Sequence, residues 1–477
     1  MASDGESVER LRDYLRTLKP EARAMLLVEL ERGLLRGDAA ASNDLVLHEL
    51  RQCIRAAAQP VPRIGDAARL FFKPIEPFLC DGRADRKRVG RLPRVALEPI
   101  WQWLGRDVMP AEIKALGEDI DRALAAGDRA KAEQAARALH DRAMQRIRDA
   151  LAAVERDEKA QRRVSVQVGT PHAADDLATI LGVFGLRDML ADLARRVPNH
   201  IRSFDREHID PLKTFLDAQM TARTADPPQK SNVVLFGLVL VMSRMTAPWQ
   251  LIRIATRAAD SDDTARIAET PYAVAVGIVM SELENAVDEL AAEFKGGRSI
   301  TSMLKDLHDA ARTLRTEMDL DADSTWSRQL AAIRSDVSDL LKSEIETAPS
   351  RVRRLLRVRP VKEIASGSRL DSIDVDDAQA RVEFVCACRH YAAELAISEV
   401  TLRAYSELQQ YLEAGTRALV DSLRQAGEAD LPFRQSQVEA AVRFCRVVFG
   451  AEYAALLAKA AEVAAQTAAL DRKAVRA

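Results

Sequence analysis

The sequence predicts an all-α fold: a multi-helix bundle with long antiparallel helical hairpins and heptad-like stripes in its C-terminal half. Aromatic residues make up only 5% of the chain. Its 477 residues include 20 glycines and 18 prolines, below the combined ~12% that globular proteins usually carry. A β-sandwich or barrel would need a turn about every 8–12 residues. Apolar residues in the C-terminal half instead recur at alternating spacings of three and four, the period of an amphipathic helix.

Bulk composition indicates a folded protein without a general preference for polyanions. Hydrophobic residues are 47% and charged residues 30% of the chain, which is typical of globular proteins. The formal net charge is −2, so the overall charge does not favour nucleic acid as a partner, and only a local basic patch could bind it. The cysteines are few and odd in number, which favours a reducing compartment. They are Cys53, Cys80, Cys386, Cys388 and Cys445.

The expected location is the cytoplasm. No apolar leader is visible in the first residues of the sequence. The longest apolar run, Val233–Met242, is about half of the ~20 residues that a membrane span requires.

Two regions of different character open the chain. Residues 1–58 are predicted to form short helices, because their leucines recur at helical spacing. Residues 60–110 contain seven prolines and five large aromatic residues. Each proline inside a helix costs about 3 kcal/mol or more, so we expect short helices joined by ordered loops in this segment.

Residues 111–225 return to strong helix formers. The stretch from Ile120 to Ala150 is predicted to be a helical hairpin that turns near Gly127–Asp128. Val164–Val168 alternates apolar and polar residues, and this period of two predicts a short strand.

Residues 226–347 are predicted to form a helical bundle. The apolar run in its first helix should be buried on all sides. Three amphipathic helices joined by short turns follow from Tyr272, and Ser324 is expected to cap the third. Residues 351–370 form a basic connector, with basic side chains at Arg351, Arg353, Arg354, Arg357, Arg359 and Lys362. We expect acidic helices nearby to neutralise them.

The last region, residues 371–477, is predicted to be a long helical hairpin. Twelve positions from Phe384 to Leu423 alternate spacings of four and three without a slip, and no proline interrupts them. One helix of about 45 residues would run nearly 70 Å. The chain then turns at Pro432 into a return helix. That return helix is predicted to carry Val438, Val442, Cys445, Phe449 and Leu456.

The stripe on the predicted long helix is the candidate interaction seam. It would bind another protein or a second copy of the chain through a helical face. Its candidate residues are Leu395, Leu402, Tyr405, Leu412 and Leu419.

A second candidate site is a basic segment flanked by aromatic residues at residues 83–103. Its arginines could bind an anion or lie on an anionic membrane surface. Alternatively, they pair with acidic faces of the protein itself. The candidate anion-binding residues are Arg83, Arg86, Lys87, Arg88, Arg91 and Arg94.

No catalytic, metal-binding or cofactor-binding residues are assigned from the sequence. The His-Asp pairs at His140-Asp141 and His308-Asp309 have the form used by metal phosphohydrolases of the HD superfamily. The nearest upstream histidine, however, is too far along the chain for either pair. The remaining clusters are interpreted as structural. They are Cys386, Cys388 and His390; His200, Asp205, His208 and Asp210; and Asp319, Asp321 and Asp323.

The sequence therefore favours a non-enzymatic helical interaction protein: a scaffold, adaptor or regulatory subunit. One alternative is a peripheral membrane or anion-binding protein that uses residues 83–103. Another is a metal-dependent phosphohydrolase built on a His-Asp pair.

Overall fold

The fold is an all-α, multi-helix assembly. A computed structural model describes residues 66–81, 87–170, 172–223, 227–295, 300–321 and 323–476, with isolated positions between 14 and 50. The side chains of residues 227–230, 293–295 and 470–476 are outside this description. The short helices predicted in residues 1–58 lie largely outside the described residues.

Nine helices are described up to Met242. Their bounds are α1 Asp66–Phe71, α2 Leu97–Trp103, α3 Pro110–Ala125, α4 Arg129–Arg156, α5 Glu158–Val168, α6 Ala173–Gly185, α7 Arg187–Arg196, α8 Arg206–Ala222 and α9 Pro227–Met242. Two parallel strands of two residues each, β1 Leu79–Cys80 and β2 Leu92–Pro93, pair between α1 and α2. A 3₁₀ turn at Lys73–Phe78 precedes β1, another at Arg94–Ala96 follows β2, and α2 continues into a π-helical turn at Leu104–Val108.

The second half of the described chain contains another nine helices. Their bounds are α10 Ile252–Ala259, α11 Thr264–Ala268, α12 Val274–Lys295, α13 Thr301–Glu317, α14 Thr325–Leu356, α15 Ser372–Tyr391, α16 Ser398–Arg424, α17 Leu431–Phe449 and α18 Ala451–Arg476. Short 3₁₀ turns occur at Pro248–Leu251, Pro271–Ala273 and Val361–Glu363. One hydrophobic cluster extends through the fold from Phe71 to Ala464.

The hairpin predicted from Ile120 to Ala150 is formed by α3 and α4. Gly127 adopts φ +72°, a conformation that costs glycine little. The next residue, Asp128, accepts a hydrogen bond from the Lys131 amide and so caps α4. The turn therefore lies where the sequence places it.

The strand predicted at Val164–Val168 is wrong, because these residues are the last turn of α5. Val164 and Val168, four residues apart, are buried, whereas Val166 is 80% exposed. Over five residues, burial at i and i+4 fits a period of 3.6 as well as a period of two. Gly169, at φ +77°, then ends the helix in the left-handed conformation.

Helix α9 is buried along the whole apolar run Val233–Met242, apart from Leu235, which is partly buried. Two glycines allow this close packing. A Cβ on Gly182 would lie 2.4 Å from the Phe236 ring, and a Cβ on Gly237 would lie 2.6 Å from Leu216 Cδ2. No described helix is both long enough and apolar enough to cross a membrane.

The three helices predicted after Tyr272 are α12, α13 and α14. Ser324 caps α14 by accepting a hydrogen bond from the Ser327 amide at 3.0 Å, as predicted. Helix α14 is longer than expected, because it continues through Pro349 to Leu356 and takes in the start of the predicted basic connector. Its buried side chains include Leu330, Ile333, Val337, Leu341, Ile345, Val352 and Leu355.

The single long helix predicted from Phe384 to Leu423 is wrong. Helix α15 ends at Tyr391, α16 begins at Ser398, and Ala396 between them has φ +56°. Leu395 and Ile397 are buried in this break. The phase of the apolar stripe changes across it, so Leu402 is 54% exposed.

Side chains of α14 satisfy the backbone of this break. Arg334 donates from Nε to the Glu394 carbonyl at 2.6 Å and from Nη2 to the Ala393 carbonyl at 3.0 Å. Ser338 donates to the Ala396 carbonyl at 3.2 Å. Backbone carbonyls outside a helix also need hydrogen-bond donors when they are shielded from water, so donors on α14 stabilise a break that neither proline nor glycine marks.

The predicted return helix is also interrupted. Helix α17 ends at Phe449, Gly450 adopts φ +95°, and α18 begins at Ala451. Leu456, predicted to lie on the buried stripe, is 71% exposed on α18.

The break separates two leucines that the sequence pattern treats alike. Leu412→Asp should lower the free energy of unfolding by about 3 kcal/mol or more, because it buries an unpaired charge at a position that is 1% exposed. Leu402→Asp should change it by no more than about 0.5 kcal/mol, because that side chain is largely in water. Urea denaturation of both variants measures the difference. Equal losses would contradict the separation of α15 from α16.

Arg334→Ala should destabilise the fold by about 1–3 kcal/mol, because two carbonyls lose their donor. Chemical denaturation measures this loss. Arg328→Ala is the matched control: Arg328 is an exposed arginine on the same helix. If both variants lose the same stability, Arg334 does not hold the break.

Candidate functional site

The basic segment after β1 is fastened to the protein by carboxylates. Arg83 and Arg86 lie outside the described residues. Arg91 Nε lies 2.9 Å from Glu282 Oε1, and Arg94 Nη1 lies 2.9 Å from Glu76 Oε1. Arg88 is 8% exposed, with Nη2 at 4.0 Å from Glu289 Oε1.

Lys87 reaches helix α6. Its Nζ donates to Asp176 Oδ1 at 3.4 Å and to Thr179 Oγ1 at 3.2 Å. Asp176 is 1% exposed and also accepts a hydrogen bond from Thr170. Burial raises the pKa of Asp176, and the charge of Lys87 opposes that rise. Burial likewise raises the pKa of Glu282, which Arg91 and Arg88 oppose.

The aromatic residues around this segment are largely core residues. Phe71, Phe72, Phe78 and Trp103 are each no more than 3% exposed. Among the described residues, the candidate anion-binding cations therefore each face a carboxylate, and four of the five flanking rings are withdrawn from the surface.

The basic connector is also paired along most of its helical part. Arg351 bonds to Asp377, Arg353 bonds to Glu407, and Arg354 lies 4.0 Å from Asp374. The Arg359 guanidinium lies over the Phe433 ring, 5.4 Å from its centre. Arg357 and Lys362 are exposed.

Four of the five candidate seam residues face the interior of the chain. Leu395, Tyr405, Leu412 and Leu419 are each no more than 8% exposed, and the Tyr405 hydroxyl donates to the Val448 carbonyl at 3.1 Å. Leu402 alone faces outward. A partner would thus meet other surfaces of the C-terminal helices.

The two His-Asp pairs have structural partners. His140 is 3% exposed, its Nε2 lies 2.7 Å from the Phe71 carbonyl, and its ring stacks on Phe184 at 4.3 Å between centres. Its neighbour Asp141 instead pairs with Arg187 at 2.7 Å. In the second pair, Asp309 bonds to both His308 and Lys305.

The cysteine-histidine cluster does not converge. Cys388 is fully buried, Cys386 is partly buried with its thiol 4.0 Å from the Val447 carbonyl, and His390 is exposed. Burial raises the pKa of the Cys386 thiol to about 11. The thiol is therefore protonated at neutral pH, whereas metal ions bind the thiolate. Within the described residues, no group of three or more His, Cys, Asp or Glu side chains is arranged to hold a metal ion.

The cluster from His200 to Asp210 is divided among separate partners. His200 Nε2 lies 3.2 Å from the Thr246 hydroxyl, and His208 Nδ1 lies 3.0 Å from Asp205 Oδ1. Asp210 pairs with Arg257 at 3.0 Å. The two histidines do not share a ligand position.

This cluster nevertheless borders a cavity of about 390 Å³ between α7, α8 and α9, called here the α7–α9 pocket. Its lining is mostly apolar, with polar side chains at Arg196, Glu207 and His208. The apolar lining residues are Leu193, Val197, Pro198, Ile201, Phe204, Pro211, Leu212, Phe215 and Val241.

A second concavity, called here the α17–α18 groove, has a volume of about 380 Å³. Helix α17 lines it at positions 435, 438, 439 and 442, and α18 lines it at positions 458, 461, 462 and 465. Both sets follow the i, i+3, i+4, i+7 spacing of one helical face. Leu423 of α16 and Arg443 of α17 complete the lining.

Sequence reasoning missed both concavities. The α7–α9 pocket joins residues from about 193 to 241 across three helices. Its local signals are the polar cluster from His200 to Asp210, which borders it, and two prolines, Pro198 in the loop after α7 and Pro211 inside α8. For the groove, a signal exists in the alanine-rich face of α18, at Ala458, Ala461 and Ala465.

No family model, curated protein or solved structure matches the chain.

The buried imidazole of His140 predicts a pH-dependent stability. Burial lowers its pKa from 6.5 to about 4, so between these values the unfolded chain takes up a proton that the folded chain excludes. The contribution of His140 to the free energy of unfolding is therefore fully present above pH 6.5. It falls by about 1.4 kcal/mol per pH unit as the pH decreases to 4.

His140→Gln should therefore reduce the loss of unfolding free energy between pH 7 and pH 5 by about 2 kcal/mol. Urea denaturation at both pH values measures it. His200→Gln, which removes an exposed histidine, should leave the loss unchanged. An unchanged pH dependence in His140→Gln would show that the imidazole titrates normally in the folded state.

Proposed function

We propose that the protein is a non-enzymatic helical interaction protein that binds an amphipathic, basic helix of a partner in the α17–α18 groove. The observation that carries this proposal is the paired spacing in the groove, where two adjacent helices each offer an i, i+3, i+4, i+7 face to the same concavity. Recognition of an amphipathic helix in such a groove is a recurring mode of peptide binding.

The groove has the dimensions and side chains that a third helix needs. Seven residues of helix span about 10 Å, so each wall is about two turns long. Ala458, Ala461 and Ala465 are small and permit close approach of a helix axis. Val442, which is partly buried, supplies the apolar contact from α17, and the buried Val438 lies beneath it in the lining.

Charge at the groove selects a basic partner. Glu439 and Glu462 line it, and neither makes an ion pair or hydrogen bond with another described residue. The one cation in the lining, Arg443, is already engaged by Asp376 at 2.6 Å and by Gln379 at 2.5 Å. Lysine or arginine on the partner helix would therefore meet free carboxylates.

The other functions considered have weaker support from the geometry. An anion or membrane site at residues 83–103 would require breaking ion pairs at Lys87, Arg88, Arg91 and Arg94. A phosphohydrolase site would require His140 to leave an aromatic core and Asp141 to leave Arg187.

The test is site-specific photo-crosslinking in lysate of the native source, with p-benzoylphenylalanine at Ala461. We expect capture of a partner segment whose sequence is amphipathic at helical spacing and carries lysine or arginine. Glu439→Lys combined with Glu462→Lys should reduce capture about tenfold, and high salt should weaken it.

The matched control is Glu452→Lys, which reverses a charge on an exposed part of α18 outside the groove. Crosslinker placed at Val166, an exposed apolar position on α5, reports non-specific capture. The proposal is overturned if the crosslinker at Val166 captures the same segment equally well, or if the captured segment is acidic or lacks helical spacing. It is also overturned if Glu452→Lys reduces capture as much as the double variant does.

A further inference from the structure

We propose that the α7–α9 pocket binds a small amphipathic carboxylate, with the apolar part of the ligand in the cavity and its carboxylate on Arg196. This site is separate from the α17–α18 groove. It contains a preformed cavity and a non-helical loop held by hydrogen bonds. It also contains Arg196, whose two terminal nitrogens make no hydrogen bond with a described residue.

The cavity suits the apolar part of such a ligand. Its volume of about 390 Å³ lies within the ~300–1,000 Å³ range of small-molecule sites. Leu193, Ile201, Phe204, Leu212 and Val241 are each no more than 4% exposed and form its inner surface. An apolar ligand part would meet aliphatic and aromatic side chains there.

The loop between α7 and α8 is held open by hydrogen bonds from the segment after α9. Arg244 Nη1 donates to the Ala194 and Val197 carbonyls at 2.8 and 2.6 Å, which satisfies the end of α7. The Ile201 amide donates to the Arg244 carbonyl at 2.8 Å, and the Phe204 amide donates to Gln250 Oε1 at 2.8 Å.

These bonds fix the loop without filling the space beneath it. A loop positioned in this way by rigid helices is a usual location for binding residues. Because the loop is held by the protein itself, a ligand would enter a site that is already formed, and less ordering entropy opposes its binding.

Arg196 supplies the charge at the solvent side. Its side chain is 62% exposed, and its guanidinium lies over the Phe215 ring of the lining, 5.2 Å from the ring centre. Its Nε donates to Asp192 at 3.1 Å. The two terminal nitrogens make no hydrogen bond with a described residue and form the fork that pairs with a carboxylate in two hydrogen bonds.

Of the two other polar lining residues, His208 is compatible with an anion bound beside Arg196 and Glu207 opposes it. His208 is oriented by Asp205, which leaves its Nε2 without a partner among the described residues. Glu207 opposes an anion, but its amide is tied to Asp205 at the N-terminus of α8 and its side chain is exposed. Because the Glu207 side chain is exposed, solvent and salt weaken its repulsion of a carboxylate bound by Arg196.

The test is isothermal titration calorimetry of the full chain with decanoate at low salt. Decanol and decylamine have the same apolar chain and test whether binding requires a negative charge. The second carboxylate, 3-phenylpropanoate, tests whether an aromatic group can replace the aliphatic chain. We expect saturable binding of one carboxylate per chain, at least about tenfold tighter than decanol or decylamine.

Arg196→Glu should weaken carboxylate binding about tenfold or more, whereas Arg195→Glu should change it less than about twofold. These two arginines are adjacent, exposed and both bonded to Asp192, and only Arg196 lines the pocket. Val241→Phe, which fills the cavity, should abolish binding of every ligand tested. Circular dichroism checks that each variant is folded.

Several outcomes would overturn the proposal. They are the absence of saturable heat with both carboxylates up to millimolar concentration, equal affinity for decylamine, and equal weakening by Arg195→Glu and Arg196→Glu. Because Arg196 is exposed, its variant remains informative even if Val241→Phe does not fold.

Discussion

The buried face of α14 is the constraint on which the C-terminal half of the structure depends. This helix of 32 residues has buried side chains along its full length, from Leu330 to Leu356, and packs against α12, α15, α16 and α17. Two of its polar side chains, Arg334 and Ser338, satisfy the backbone between α15 and α16. The position of α14 therefore determines where the next two helices end and begin, and through them which leucines are buried.

Arginine serves mainly as a structural residue in this chain. Lys87, Arg88 and Arg91 tie the segment after β1 to α6 and α12 through Asp176, which is buried, Glu282, which is partly buried, and Glu289, which is exposed. Arg244 satisfies the end of α7, and Arg434, 4% exposed, bonds to Asp430 and to the Arg359 carbonyl. The planar guanidinium can satisfy several acceptors in fixed directions. A dense run of basic residues in such a sequence is therefore weak support for an anion site.

The two concavities arise from different packing events. The α17–α18 groove is open because α18 packs on α16 and α17 through Ala454, Leu457, Ala464 and Ala468 and leaves a neighbouring face of small residues uncovered. The α7–α9 pocket is open because the loop after α7 is hydrogen-bonded to the segment after α9 instead of collapsing onto Leu193 and Val241. The groove depends on which face of α18 is covered, and the pocket depends on the hydrogen bonds of a loop; helical periodicity specifies neither.

The sequence by itself determined the all-α class, the hairpin turn at Gly127–Asp128, the cap at Ser324 and the buried course of α9, because these depend on local conformation or on a strong apolar pattern. Tertiary structure determined the break at Ala396, the outward position of Leu402, and the charge partners of the basic segments. It also determined both candidate sites, because each depends on how consecutive helices pack against one another, which helical periodicity does not specify. The physical reason is that a helix end without proline or glycine, and a charge in the interior, are stable only when donors or carboxylates from other elements reach them.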